Sequence, residues 1–112
     1  MASHATKHFV MQRFTAMIQV PLVIWLIISI IGHAGDSRDE FMAWVGEPLT
    51  AGLMILFVLS ICYHMHLGMG EVIEDYIHKK SSRSALDLLN KLFALTLGVI
   101  AVFSIIAMTL IV

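Results

Sequence analysis

An all-α membrane protein with three transmembrane helices is the fold class this sequence predicts, on three observations. The 112 residues are 59% hydrophobic and 13% charged, with a mean hydropathy of +0.89, so a water-soluble core cannot hide the apolar side chains. Three apolar stretches, Phe14 to Gly32, Leu49 to about Leu67 and Leu92 to Val112, each approach the roughly 20 residues needed to cross a bilayer. The alternation of a barrel strand is missing, and backbone groups in lipid must bond within their own segment, as a helix allows. Helices are therefore expected over about 14–32, 49–76 and 85–112, in a single transmembrane domain covering residues 1–112.

The first span follows Lys7 and Arg13 and so imitates a secretory signal, but its apolar run is long for one and "GHAG" after it makes a poor cleavage site. It is retained as a helix, with Pro21 expected to kink it. Residues 33–47 read as a loop carrying Asp36, Asp39, Glu40 and Glu47. Glu47-Pro48 suits the start of the second helix, because proline at the first helical position loses an N–H that has no partner there anyway. "SALD", Ser84 to Asp87, resembles a capping box opening the third helix. Six of the seven basic residues, all but Arg38, lie before the first span or between the second and third. The positive-inside rule then puts the N-terminus in the cytoplasm and the C-terminus on the opposite side. With a net charge of -1 and no basic tract beyond Lys79-Lys80, the chain offers nothing to nucleic acid.

The chemistry concentrates in "HMHLGMGEVIEDYIH", residues 64 to 78, with three histidines, three carboxylates and a tyrosine at the end of a greasy run. Entering near Leu49 and rising about 1.5 Å per residue, the second helix carries His64 roughly 20 Å along its length. Asp75 is eleven residues further on, and eleven steps of about 100° return close to the starting direction, so His64, Gly68 and Asp75 share a face. Two readings of His64 stand open on the residues alone. It ligates a haem, with Gly68 clearing space for a flat macrocycle, or it hydrogen-bonds to a neighbouring helix while Gly68 permits close helix packing. His66 points about 200° away, toward headgroups or a partner chain, and a His-x-His pair on a helix does not converge on one zinc ion. Met54, Met65, Met69 and Cys62 read as packing residues, and Glu71, Glu74 and His78 as a solvated helix end. Gln12 and Gln19 have no assigned task.

These residues carry a resemblance. His64, Gly68 and Asp75-Tyr76 within "YHMHLGMGEVIEDYIH", together with "HFVMQRFTA" ahead of the first of three spans, resemble the small hydrophobic membrane anchors of succinate dehydrogenase, respiratory complex II, of the bacterial type. The likeness covers nearly the whole chain. It implies a non-autonomous subunit of succinate:quinone oxidoreductase, in the inner (cytoplasmic) membrane of a bacterium or, as the second choice, of a mitochondrion. His64 would be one axial ligand of haem b and its iron, the other coming from a second membrane anchor subunit. Tyr76 would contact ubiquinone, with Asp75 beside it, and Arg13 would approach the haem propionates. The implied partners are that second anchor, an iron–sulfur subunit, a flavoprotein subunit and the lipid bilayer.

Taken without the resemblance, Arg13 is equally an ordinary snorkelling anchor, Asp75 a helix-end carboxylate paired with Lys79 one turn on, and Tyr76 an interfacial aromatic. The alternatives to this reading are the anchor of a related quinol:fumarate reductase, and a small ion or proton transporter or structural membrane protein.

Overall fold

The computed structural model describes residues 4–111. It is all-helical: α1 (His4–Gly32), α2 (Arg38–Gly46), α3 (Pro48–Tyr76) and α4 (Lys80–Ile111). Three of these, α1, α3 and α4, are long and apolar enough to cross a membrane. The second expected helix is reproduced almost to the residue, with Pro48 in its first turn. The end expected at Val112 for the third lies outside the described residues.

Three boundaries differ from expectation, each for a physical reason. α1 begins ten residues before Phe14, because hydropathy marks where lipid starts and not where a helix does, and residues 4–13 hold no proline or glycine to stop it. α4 begins at Lys80, so Ser84 to Asp87 lies inside the helix and caps nothing. Three residues, 77–79, make the turn. Ile77 is extended, its N–H donating back to the Ile73 carbonyl at 2.9 Å, and the Arg83 N–H donates to the Lys79 carbonyl at 2.9 Å to open α4. Finally, the 33–47 loop contains α2, whose N-cap is Ser37. The Glu40 N–H donates to Ser37 Oγ at 3.2 Å, and the Ser37 N–H donates to Glu40 Oε1 at 3.3 Å, a complete capping box.

α3 is the middle of the molecule. α1 packs on one side of it and α4 on another, and among the described residues α1 and α4 do not meet. Asn90, Ala94 and Gly98 form a row of small buried residues at four-residue spacing on α4, which lets that helix approach closely. A Cβ added at Gly98 would lie 3.8 Å from Cys62 Sγ, so Cys62 is the small filler expected of it. α2 packs against α3 and α4 at the opposite end from the 77–79 turn. Its Trp44, only 8% exposed, stacks on His33 with ring centroids 4.3 Å apart and meets Phe41 edge-on at 5.4 Å. Trp25 of α1 lies 6.4 Å from the same indole. His33 is itself held by Asp36, Nδ1 to Oδ2 at 2.6 Å.

Trp44 thus ties the two ends of the 33–47 segment to α1 through ring contacts. Trp44→Ala is expected to cost about 3 kcal/mol, within the range for truncating a buried aromatic, measured as a lower thermal midpoint of the detergent-solubilised assembly.

Candidate functional site

The site grows from the antiparallel face between α1 and α3, where polar side chains occur at helical spacing on both helices. On α1 they are His8, Gln12, Thr15 and Gln19; facing them on α3 are Glu71, Gly68, His64 and Ser60. Steps of three and four residues keep each set on one face. His8 Nδ1 lies 3.8 Å from Glu71 Oε1. Gln12 Nε2 would sit 3.5 Å from a Cβ on Gly68. Thr15 Oγ1 is 2.8 Å from His64 Nδ1. Gln19 Nε2 donates to the Ser60 carbonyl at 3.3 Å, and Ser60 Oγ donates to the Thr15 carbonyl at 3.2 Å. Ser60 and Thr15 are buried, at 7% and 5% exposure. Four rungs therefore lock one helix onto the other.

His64 is half-buried, and among the described residues its ring is bonded only at Nδ1. Thr15 also lies within reach of two backbone carbonyl oxygens, those of Met11 at 2.9 Å and Gln12 at 3.1 Å. Gln12 Oε1 is buried without a hydrogen-bond partner among the described residues, which marks the seam as open at one point. Gly68 receives the Gln12 amide, so the missing side chain serves the approach of α1; the space expected there for a macrocycle is taken by this chain's own glutamine. Gln19 thereby gains a task in bonding the Ser60 carbonyl, and Gln12 packs against α3 at Gly68.

His66 turns toward α4. Asn90 Nδ2 donates to the His66 carbonyl at 2.9 Å and lies 3.2 Å from His66 Nδ1. Sequence reasoning missed Asn90 because it stands two residues outside the apolar run taken as the third span. Its signal was a single amide in "LDLLNKLFALTL".

Arg13 is exposed and its guanidinium lies over the Phe9 ring, 5.2 Å from the centroid. It is two residues before Thr15, about 200° around the helix, so it leaves the seam. Asp75 and Tyr76 close α3, both exposed, Tyr76 at 75%. With α3 ending at Tyr76, Lys79 is no longer one helical turn from Asp75, and among the described residues no ion pair joins them. Tyr76 borders a cleft of about 720 Å³ between α3 and α4, with Met65, Met69, Ile73 and Phe93 in its walls. It lies about 18 Å along the helix from His64 and opens on another side of α3. The two residues belong to separate surfaces of one helix. Glu71, Glu74 and His78 are exposed, as expected for a helix end.

Residues 1–107 match the family model described as "Succinate dehydrogenase/Fumarate reductase transmembrane subunit". The chain belongs to that family. It is 30% identical over 94 residues to the succinate dehydrogenase hydrophobic membrane anchor subunit of Rickettsia bellii, covering 84% of this chain and 75% of that one. The counterpart from Rickettsia prowazekii is 31% identical over 90 residues, covering 80% and 72%. The succinate dehydrogenase membrane anchor subunit of Reclinomonas americana is 26% identical over 81 residues, covering 70% and 68%. No solved structure matches. Both the His64 to Tyr76 end of α3 and the α1 seam of this succinate dehydrogenase/fumarate reductase transmembrane subunit lie within the matched residues.

The Asn90 link is expected to contribute modestly, as interhelical hydrogen bonds in membranes do. Asn90→Leu should lower the stability of the assembly by about 1 kcal/mol, read from unfolding of the detergent-solubilised complex, while leaving the α1–α3 seam intact.

Proposed function

We propose that this transmembrane subunit is the hydrophobic membrane anchor of a bacterial succinate:quinone oxidoreductase, holding one axial position of a b-type haem through His64 and part of the ubiquinone site through Tyr76. One observation carries the reading. Inside a membrane span, where an ionisable side chain is expensive and marks function, His64 has one ring nitrogen bonded to Thr15 and the other without a partner among the described residues.

The donor set fits that group. Among the described residues no three metal-ligating side chains cluster; a haem held by His64 would draw its second histidine from the other membrane anchor. The buried, unpartnered Gln12 Oε1 also calls for a donor from outside the chain. Arg13, exposed at the same end of α1, supplies a cation for propionates once it leaves Phe9. A haem held at His64 would supply a one-electron store.

The residues of this chain act mainly on position and charge. The assembled enzyme passes two electrons from succinate, through centres in the flavoprotein and iron–sulfur subunits, to a quinone at the membrane border. The Tyr76 hydroxyl donates to a quinone carbonyl, where negative charge develops on reduction. Asp75, adjacent in the chain, orients that end or hands on a proton. The basic ends of α1 and α4 and the 77–79 turn form the cytoplasmic face that receives the iron–sulfur protein, in keeping with the positive-inside rule. The family description includes fumarate reductases as well; the relatives named as succinate dehydrogenase anchors favour succinate oxidation.

Two substitutions test the two halves separately, each in equal amounts of purified complex. His64→Leu should abolish or visibly alter the low-spin b-type spectrum; an unchanged spectrum removes His64 as ligand. Tyr76→Phe keeps the ring and deletes the hydroxyl. Quinone reduction should fall by up to about 10²-fold, while succinate oxidation by an artificial acceptor upstream and the haem spectrum persist. Wild-type quinone turnover would make Tyr76 an interfacial anchor only.

A further inference from the structure

The hydroxyl of Thr15 has three neighbours and one proton. Its oxygen is 2.9 Å from the Met11 carbonyl oxygen, 3.1 Å from that of Gln12 and 2.8 Å from His64 Nδ1. Were the hydroxyl to donate to Nδ1, its oxygen would face two carbonyl oxygens with no proton between, three acceptors crowded at hydrogen-bond distance inside lipid. Donation to Met11 or Gln12 instead satisfies a helix carbonyl, the usual back-bond of a membrane threonine, and leaves a lone pair for an N–H on Nδ1. Only the second arrangement leaves every atom matched.

We infer that Thr15 is a positioning residue for the haem ligand: by accepting a hydrogen bond from Nδ1–H of His64, it fixes the tautomer that directs the lone pair of Nε2 at the iron and makes the imidazole a stronger donor. The inference rests on the reading of His64 as an axial ligand. It assigns to Thr15 the task that a carboxylate or backbone carbonyl performs for most metal-bound histidines.

The surroundings hold the hydroxyl still. Ser60 Oγ donates to the Thr15 carbonyl, Gln19 bonds the Ser60 carbonyl, and Thr15 is 5% exposed. The acceptor is therefore fixed by bonds on both helices, and the ring it orients is fixed with it.

The experiment uses the purified complex with Thr15→Val, which keeps the branched shape and removes the acceptor, Thr15→Ser, which keeps the acceptor, and His64→Leu. In Thr15→Val the haem midpoint potential should move positive, since the ligand donates less, and haem affinity should fall about 10–100-fold, read as faster loss of haem to excess apo-globin. Thr15→Ser should retain both properties. If Thr15→Val does not assemble, Thr15→Ala carries the same comparison with a small void in place of the methyls. In the unsubstituted complex, electron–nuclear double resonance should detect an exchangeable proton on the remote imidazole nitrogen. Absence of that proton overturns the inference, as does a Thr15→Val complex with unaltered potential and haem retention. Persistence of the low-spin spectrum in His64→Leu would instead defeat the ligand assignment beneath it.

Discussion

A polar side chain buried in lipid must find its partner within the protein, and the seam between α1 and α3 is where this chain meets that demand. Thr15 and Gln19 on one helix bond to His64 and Ser60 on the other, and Gln12 packs against Gly68. The apolar effect gives little direction here, because lipid tails are as apolar as leucine, so association relies on packing and on these bonds. A one-turn slip of α1 would carry Thr15 past His64 to Gly68 or Ser60 and break the bond between them. Which ring nitrogen of His64 is bonded and which is left open follows from that register.

The helices were legible because apolar runs of this length have only one use, and His64 because an imidazole so deep stands out from its surroundings. Caps were harder. The pattern of a serine followed three residues later by an acid occurs at Ser84 to Asp87 and again at Ser37 to Glu40. The first lies inside α4 and the second starts α2. A cap needs a chain that has just left a helix, and the turn at 33–36 supplies it for Ser37, whereas at Ser84 the chain is already helical. Local pattern alone does not contain that difference.

The partners of buried polar residues were illegible for a related reason. Gln12 and Gln19 could each be seen to bond within the bundle, but which helix supplies the partner depends on how the spans rotate about their axes. Rotation is settled by the sum of all contacts along the helix. The direction of His66 shows this: its opposition to His64 follows from the helical repeat, and what stands there is α4, not lipid. The placement of Tyr76 on the α4 side, away from His64, comes from the same geometry.

The central position of α3 also bears on the order in which the protein is made. Both sides of the seam, residues 8–19 and 60–71, precede α4 in the chain, and among the described residues α4 touches α3 without touching α1. At roughly 5–20 residues per second, the 32 residues of α4 occupy the ribosome for roughly 2–6 s. Elementary helix and loop events take microseconds or less. His64 can therefore bond to Thr15 while the last span is still being synthesised, and α4 arrives at a hairpin whose polar seam is already set. Synthesis, in this chain, completes the bonded seam before the helix that covers another side of α3.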